Sequence, residues 1–356
     1  MTISDKPPGL SKLKTIKRKS VVVSADDGVA YGTPTGGPLP LMITPTTEAL
    51  ELPAWIAQHR DGLRQKLHQH GALLFRGFAA PGIDTFSAAI QAISGEPLRY
   101  MERSSPRHAV SGNVYTSTDY PSAYPIFLHN EQSYNLRWCR VISFHCRKAA
   151  ARGGQTPLAD TRRILARLPP ALVERFQQRR YMYLRNFGDG FGLSWPVVFQ
   201  TEDRAEVEAY CRANAIETEW KGGNHLRTRQ VRELVHRHPE TGELVWFNHC
   251  TFFHVTTLPP PVRDVLLAGL AEEDLPNQTF YGDGARIEPE VMAQLQHAYL
   301  AEKVMFDWRE GDILVVDNML CSHAREPFEG ERLVLTTMSE LSEPRSEDAV
   351  RGSASP

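Results

Sequence analysis

Apolar residues recur at a helical spacing between residues 49 and 70. On a helix, one side would carry Leu52, Trp55, Ile56, Leu63 and Leu67. This spacing predicts an amphipathic helix whose apolar side faces a core. Gly71 follows directly, and a glycine commonly ends a helix. The next residues, 72–75, are continuously apolar and predict a short buried strand. The folded part of the chain is therefore expected to begin with a helix followed by a strand.

Short apolar runs and amphipathic stretches alternate through the rest of the chain. Strands are predicted over residues 141–146, 182–187, 313–316 and 332–338, and helices over residues 161–168, 170–179, 260–270 and 288–300. Two further extended segments, 234–236 and 244–247, flank a turn sequence that contains Pro239 and Gly242, which predicts a β-hairpin. The pattern mixes strands with helices, and no segment repeats.

The length of the chain favours one large domain with a tail at each end. With 356 residues it exceeds a typical domain, yet all-β barrels with helical insertions use such a length as one unit. Residues 1–40 are rich in turn-forming and basic residues, so they predict a tail with one strand at residues 20–24. Residues 41–342 are predicted to form the single domain, and residues 343–356 a polar C-terminal tail.

Composition and charge exclude several classes of protein. A formal net charge of -2 gives no overall attraction to nucleic acid or to an anionic membrane. The five cysteines show no C-x-x-C spacing, which disfavours a disulfide framework and a thiolate zinc site. No apolar run suits a signal segment or a membrane span. The expectation is a soluble cytoplasmic protein without nucleic-acid or membrane partners.

The segment His129-Asn130-Glu131 is the first candidate for chemistry. Along an extended segment, residues two apart point to the same side, so the histidine and the glutamate can reach one ion while Asn130 points away. A mononuclear non-haem iron(II) site needs two neutral imidazoles and one carboxylate on one face of the metal, which leaves positions for a cosubstrate and dioxygen. The pair therefore supplies two of three expected ligands.

His238-Pro239-Glu240 has the same spacing and shows that such a pair also arises by chance. It lies in the predicted hairpin turn, where its side chains are expected to face solvent. His129, in contrast, follows the apolar residues 126–128. The metal is therefore expected at His129 and Glu131.

The third ligand has to come from far along the chain, because closing a barrel brings distant strands together. His323 follows the predicted strand at residues 313–316 and precedes Arg332. An arginine fork matches a desolvated carboxylate in a bidentate manner, so Arg332 can hold the distal carboxylate of 2-oxoglutarate. Thr156, which follows a pair of glycines, can add a hydroxyl donor to the same carboxylate.

Taken in order, these motifs resemble the taurine dioxygenase-like (TauD/TfdA) superfamily of iron(II)/2-oxoglutarate-dependent oxygenases. The resemblance rests on His129-x-Glu131, on Gly154-x-Thr156, and on His323 with Arg332. It covers most of the chain, since residues 71–77, 308–312 and 316–318 also resemble family segments. Residues 128–134, 246–249, 281–284 and 323–330 are most similar to the SyrP and clavaminate-synthase-like branch.

The resemblance implies a mainly β fold with flanking helices, namely a double-stranded β-helix of the jelly-roll, cupin-like type. It implies that His129, Glu131 and His323 bind iron(II), that Thr156 and Arg332 bind 2-oxoglutarate, and that dioxygen is consumed. It also implies hydroxylation of an unactivated C–H bond of an amino acid, free or tethered to a carrier protein, in antibiotic or other natural-product biosynthesis. Related halogenases carry a small residue in place of the carboxylate, so Glu131 favours oxygenation over chlorination.

The substrate pocket has these further candidates: Arg325, Asn130, Tyr134 and Asn248. Arg325 lies two residues after His323 and points to the same side of an extended segment, where it could clamp a substrate carboxylate or form a structural ion pair. The arginine-rich run over residues 162–180 could dock an acidic carrier protein or be a solvated helix face.

Other functions stay open at this point. The same oxidant can carry out desaturation, epoxidation or cyclisation of a small acid, because these outcomes depend on how the substrate is placed. A non-catalytic jelly-roll binding protein would have no need of a carboxylate anchor beside a metal site. A zinc hydrolase can use two histidines and a glutamate, but it would leave Arg332 and Thr156 without a role.

Overall fold

The computed structural model describes residues 28–48, 50–79, 82–98, 108–117, 120–188 and 193–343. The predicted strand at residues 20–24 and residues 344–356 of the predicted C-terminal tail lie outside this described part. Among the described residues, no helix combines the length and the apolar character needed to cross a membrane.

Several β-sheets form the framework of the described part of the chain, and helices flank them. In chain order the strands are β1 (Val29–Gly32), β2 (Leu41–Pro45), β3 (Ala72–Phe75), β4 (Ala109–Ser111), β5 (Val114–Thr116), β6 (Ile126–His129), β7 (Trp138–Lys148), β8 (Arg152–Gly153), β9 (Leu158–Asp160), β10 (Tyr181–Phe187), β11 (Glu217–Trp220), β12 (Leu226–Arg232), β13 (Val235–Arg237), β14 (Leu244–Trp246), β15 (Asn277–Tyr281), β16 (Ile313–Asp317), β17 (Cys321–Arg325), β18 (Phe328–Glu329) and β19 (Leu333–Ser342). The α-helices are α1 (Leu52–His70), α2 (Ile83–Ser94), α3 (Thr161–Arg167), α4 (Pro170–Arg179), α5 (Trp195–Phe199), α6 (Arg204–Ala213), α7 (Pro260–Gly269) and α8 (Pro289–Glu302). The architecture is therefore mainly β with helices, as expected from the sequence.

The largest sheet has eight strands in the order β1-β2-β3-β16-β7-β19-β5-β4. At its centre β16 pairs antiparallel with both β3 and β7, and β19 pairs with β7 along most of its length. Side chains alternate between the two faces of a strand. On β16, Ile313 and Val315 therefore join one core cluster, while Leu314 and Val316 join another.

Helices α1 and α2 cover one face of this sheet. The apolar side predicted for α1 is buried there together with α2 residues such as Phe86 and Ile90. Helix α1 ends at Gly71, whose φ of 76° lies in the left-handed region that glycine adopts without steric cost. Strand β3 follows at once. The predicted helix followed by a buried strand is confirmed.

A three-stranded sheet, in the order β6-β17-β9, lies against the other face of the large sheet. The core cluster between them contains Leu74, Phe144 and Leu314 from the large sheet and Leu158 and Cys321 from the small one. Strand β17 pairs with β6 on one side and with β9 on the other. The small sheet thereby brings three segments that are distant in the sequence side by side.

Several other predicted elements are confirmed, with longer strands than expected. Helices α3 and α4 match the predictions for residues 161–168 and 170–179, and β13 pairs with β14 as the predicted hairpin. The strand predicted at residues 141–146 is part of the longer β7, and β19 runs on to Ser342. The two strands pair with each other over their length, and this pairing extends each beyond its own apolar run.

Candidate active site

Three side chains of the metal-ligand type meet on the small sheet. His129 ends β6, Glu131 lies two residues further on, and His323 on β17 pairs directly with His129. One ligand atom from each side chain lies within 4.8 Å of the other two. Two imidazoles and one carboxylate so close together fit a mononuclear iron(II) site. Strand pairing thus joins the ligands that the sequence places far apart.

The ring of His129 is held in one orientation by its neighbours. Its Nδ1 lies 2.8 Å from the carbonyl oxygen of Phe127, which can only accept, so Nδ1 carries the hydrogen. In this tautomer Nε2 is the nitrogen whose lone pair can bind a metal. The ring also stacks on Phe252, with centroids 4.5 Å apart and planes at 25°. Both contacts orient the imidazole for metal binding.

The backbone of Glu131 is clamped by the side chain of Asn318, which follows β16. Asn318 Oδ1 accepts a hydrogen bond from the Glu131 N–H at 2.7 Å, and Asn318 Nδ2 donates to the Glu131 carbonyl at 2.8 Å. The following residue, Gln132, has a φ of 57°, which is strained for a residue other than glycine. The clamp therefore holds the ligand in a turn that the local sequence does not favour.

Replacing Asn318 by alanine is expected to weaken iron(II) binding by about 10- to 100-fold, the usual effect of losing a group that orients a ligand. The measurement is a titration of iron(II) into anaerobic protein. Asn186→Ala is the matched control, because that amide also donates to backbone carbonyls, of Glu273 and Leu275, but from β10. Equal weakening in both variants would show that Asn318 has no particular bearing on Glu131.

Arg332 and Thr156 lie side by side next to the three ligands. Arg332 directly precedes β19, and its Nε donates to the Gly154 carbonyl at 2.9 Å while its Nη2 lies 3.5 Å from Thr156 Oγ1. Burial, together with the neighbouring Arg325, lowers the pKa of Arg332 to about 10. The guanidinium is therefore charged at neutral pH. A charge that is half-buried in this way favours an anionic partner, which offsets its desolvation.

Gly154 makes room for this arginine. Its φ is 71°, and a Cβ at this position would lie 3.0 Å from Cδ and 3.1 Å from Nε of Arg332. Glycine alone combines such a backbone conformation with so close an approach. The glycine of the Gly154-x-Thr156 motif thus provides space for the Arg332 side chain.

One pocket is lined by these two residues and by the two histidines of the candidate metal site. His129, His323, Thr156 and Arg332 all line it, along with apolar side chains such as Phe144. 2-Oxoglutarate carries a keto acid at one end and a second carboxylate at the other. The lining of this pocket therefore offers imidazoles for a metal and a guanidinium for a carboxylate, the two kinds of group that such a ligand requires.

Arg325 also lines the pocket, but backbone carbonyls engage its guanidinium. Nη1 donates to the carbonyl of Tyr120 at 2.8 Å, and Nη2 donates to those of Pro121 and Tyr124 at 2.8 Å and 2.9 Å. These bonds fix the segment that leads into β6. A substrate carboxylate would have to compete with these hydrogen bonds. The contacts therefore favour a structural role for Arg325, in which backbone carbonyls rather than an acidic side chain are its partners.

Asn130, Tyr134 and Asn248 are not among the described residues that line this pocket. Asn130 and Asn248 both donate to backbone carbonyls, at 2.6 Å and 3.1 Å. Tyr134 is fully buried, with its ring centroid 4.9 Å from that of His249. These contacts give each residue a structural task, and their part in substrate binding stays a prediction.

A second group of metal-ligand side chains, His68, His238 and Asp317, also has its ligand atoms within 4.8 Å of one another. His238 is fully buried, so the expectation that it faces solvent is wrong: the hairpin folds back onto β16. Its Nδ1 accepts from the Thr241 N–H at 3.0 Å, which places the ring hydrogen on Nε2, 3.0 Å from Asp317 Oδ2. Burial alone would raise the pKa of Asp317, but the bond from His238 holds it below its ordinary value. With Nε2 donating, His238 joins the hairpin to β16 and does not present a lone pair to a metal.

The sequence analysis predicted no functional role for four side chains around the site: Asn318, Phe252, Trp308 and His249. Trp308 Nε1 donates to Thr156 Oγ1 at 3.0 Å, and the ring of His249 lies 5.8 Å from that of His129. Residues 249–254 form a turn beside the site. The only earlier signal was that Trp308 and Asn318 stand in segments that resemble the family.

A family model and two known proteins are similar to this chain in sequence. The family model described as taurine catabolism dioxygenase TauD, TfdA family matches residues 37–338. Dapdiamide synthesis protein DdaC from Enterobacter agglomerans is 40% identical over 314 residues, which cover 88% of this chain and 95% of DdaC. A clavaminate synthase-like protein from Arabidopsis thaliana is 25% identical over 323 residues, or 85% of this chain and 93% of that protein.

Solved structures share the fold at low sequence identity. PvcB from Pseudomonas aeruginosa has a TM-score of 0.54 at 18% identity, covering 89% of this chain and 93% of PvcB. PvcB is described as an iron- and α-ketoglutarate-dependent oxygenase from an isonitrile synthetic pathway. AAD-2 with Mn(II) and N-oxalylglycine has a TM-score of 0.53 at 10% identity, covering 89% of this chain and 98% of AAD-2.

The chain belongs to the taurine catabolism dioxygenase TauD, TfdA family. It is an iron(II)- and 2-oxoglutarate-dependent dioxygenase, which confirms the class expected from the sequence motifs. His129, Glu131 and His323 have the donor chemistry that such an iron needs.

Proposed function

We propose that this dioxygenase hydroxylates an unactivated C–H bond of an amino acid in natural-product biosynthesis. The observation that carries the proposal is one pocket lined both by His129 and His323 of the three-residue cluster and by the partly buried guanidinium of Arg332. Similarity to DdaC, a protein of dapdiamide synthesis, supports the choice of substrate and pathway. The balanced reaction consumes substrate, dioxygen and 2-oxoglutarate, and it yields hydroxylated substrate, succinate and carbon dioxide.

In this proposal His129, Glu131 and His323 bind the metal, and Arg332 and Thr156 bind 2-oxoglutarate. When bound, iron and 2-oxoglutarate supply the oxidising power of the reaction. The protein contributes orientation. The stacked His129 ring and the clamped Glu131 backbone fix the ligand face, and Arg332 with Thr156 fixes the far end of the cosubstrate.

A freely diffusing substrate fits the charge distribution better than one tethered to a carrier protein. Four arginines of the predicted basic run on α3 and α4 have acidic partners: Arg163 and Arg167 share Glu302, Arg175 pairs with Glu288, and Arg179 pairs with Asp283. The positive charge of this helical surface is therefore partly compensated. It offers an acidic carrier little net attraction.

The proposal includes finer descriptions of the fold and location. The large sheet and the β6-β17-β9 sheet enclose a common core, which fits a double-stranded β-helix of the jelly-roll type. Because β1 (Val29–Gly32) pairs into the large sheet, we propose that the domain begins before the expected residue 41 and extends to residue 342. All five cysteines are buried free thiols, which fits a reducing cytoplasm.

The test is succinate release by purified, anaerobically iron-loaded protein that is then given 2-oxoglutarate and oxygen. Free amino acids, small amino-acid derivatives and carrier-bound aminoacyl thioesters form the substrate panel. We expect a free amino acid or a small derivative to raise succinate well above the rate without substrate. Mass spectrometry of the product should then show a gain of one oxygen atom.

Other outcomes separate the alternatives. Loss of two hydrogens from the product would indicate desaturation or cyclisation, and an oxygen gain with loss of a carbon–carbon double bond would indicate epoxidation. Stimulation by thioesters alone would reverse the preference for a free substrate. Absence of both 2-oxoglutarate binding and succinate would favour a non-catalytic binding protein.

A further inference from the structure

The hydroxyl oxygen of Thr156 faces two hydrogen-bond donors. Trp308 Nε1 donates to it at 3.0 Å, and Arg332 Nη2 lies 3.5 Å away. An indole N–H and a guanidinium carry hydrogens but no acceptor. A threonine oxygen has two lone pairs and one hydrogen of its own. With its lone pairs turned to the two donors, Thr156 has its own hydrogen to offer to an acceptor.

The hydroxyl hydrogen of Thr156 can point into the pocket that this residue lines. Thr156 lines the same cavity as Arg332 and His129, and only 3% of it is exposed. A hydroxyl in a pocket can ordinarily rotate and act as donor or acceptor. The indole removes this freedom, so the pocket is preset to receive an anion that only accepts, such as a carboxylate.

Trp308 is held firmly enough to impose this direction. Arg76 Nη2 donates to the carbonyl of Asp307, and Arg76 forms a buried bidentate pair with Asp312 at 3.0 Å and 2.6 Å. These bonds fix the chain on both sides of the tryptophan. Gln155, beside Thr156, donates to Asp307 Oδ1 at 2.9 Å and ties the two segments together a second time.

We propose that Trp308 is a positioning residue for 2-oxoglutarate: its indole N–H directs the Thr156 hydroxyl toward the distal carboxylate. The proposal rests on Thr156 and Arg332 being the cosubstrate site of the proposed function. Because Trp308 acts through Thr156, it governs affinity for 2-oxoglutarate and leaves iron binding and turnover at saturation unchanged.

The experiment is a double-mutant cycle of Trp308→Phe and Thr156→Val. 2-Oxoglutarate affinity is measured by calorimetry on the anaerobic iron(II) enzyme, alongside KM and kcat. Thr156→Val should weaken binding about 10-fold or more, since it removes a bond to a charged group, and Trp308→Phe about 5-fold, since the hydroxyl stays but loses its direction. In the Thr156→Val background, Trp308→Phe should have no further effect. Thr156→Ser, which keeps the hydroxyl, should restore sensitivity to Trp308→Phe.

Trp195→Phe is the matched control. Trp195 is also buried and donates its indole N–H, to Asn224 Oδ1 at 3.0 Å, but it belongs to α5 and a separate core cluster. This variant should leave 2-oxoglutarate affinity unchanged. If Trp308→Phe weakened binding equally with and without the Thr156 hydroxyl, Trp308 would act by packing and the proposal would be overturned.

Failure of the underlying site gives a different pattern. Unchanged affinity in both Thr156→Val and Arg332→Ala would place the cosubstrate elsewhere and overturn both proposals. A loss of affinity in Thr156→Val without any loss in Trp308→Phe would overturn the role of Trp308 alone. If Trp308→Phe does not fold, the NMR resonances of the tryptophan indole N–H groups provide the test. Adding 2-oxoglutarate should shift one of these resonances in the wild type but not in Thr156→Val. Equal shifts in the two proteins would contradict the proposal.

Discussion

Replacing Glu131 by alanine is expected to abolish substrate-dependent succinate release. The loss should exceed the roughly 10- to 100-fold that follows removal of a residue that merely orients a ligand. Iron(II) affinity should fall with it, because two imidazoles then carry the metal alone. The protein should still fold, since the bonds between Glu131 and Asn318 use the Glu131 backbone and survive the substitution. Iron(II) titration and a succinate assay on the same preparation check both expectations.

Glu240→Ala provides the control with the same sequence spacing. Glu240 stands two residues after His238, as Glu131 stands after His129, but its carboxylate pairs with Arg64 at 3.0 Å and not with a metal-ligand group on the small sheet. We expect this variant to retain succinate release. Retained activity in Glu131→Ala, or equal loss in both variants, would refute the assignment of the metal site.

Replacing Arg332 by alanine is expected to raise the KM for 2-oxoglutarate by about 30-fold or more while iron stays bound. Truncating one partner of a buried, hydrogen-bonded charge pair typically costs about 2–5 kcal/mol, and each 1.4 kcal/mol is roughly a tenfold change. The metal ligands lie on other segments, so iron(II) affinity should be unchanged. Turnover should recover as 2-oxoglutarate is raised, which steady-state kinetics over a wide concentration range would show.

Two further arginine variants sharpen this test. Arg332→Lys keeps the charge but loses the planar fork, so its KM should fall between those of wild type and Arg332→Ala. Arg152→Ala removes an exposed arginine of the neighbouring β8, which pairs with Glu329, and it should leave the KM unchanged. An unchanged KM in Arg332→Ala would mean that the distal carboxylate binds elsewhere.

Elements with a strong local pattern were predictable from the sequence. The apolar side of α1, its end at Gly71 and the continuous apolar run of β3 each follow from spacing within a few residues, and all three are confirmed. The ends of β7 and β19 were not predictable, because each strand continues for as long as its partner offers backbone groups. The sequence of either segment alone does not show which distant segment it will pair with.

The burial of His238 in the hairpin likewise could not be predicted from the local sequence. The Pro239 and Gly242 punctuation correctly predicts a turn, and turns are usually solvated. His238 is buried nonetheless, because the hairpin packs against β16 and Asp317 accepts its Nε2 hydrogen. The partner lies 79 residues further along the chain, so the local sequence could not reveal it.

By itself, the sequence determined which chemistry the protein can carry. Two histidines, a carboxylate and an arginine of fixed spacing define the donor set and the anchor, because metal coordination and carboxylate recognition depend on residue type. Only the tertiary structure decided how these groups are oriented. The clamp on Glu131 and the indole bond to Thr156 join residues 187 and 152 positions apart, and the guanidinium of Arg325 donates to backbone carbonyls more than 200 positions away. Orientation arises from such long-range hydrogen bonds, which exist only after distant strands have paired.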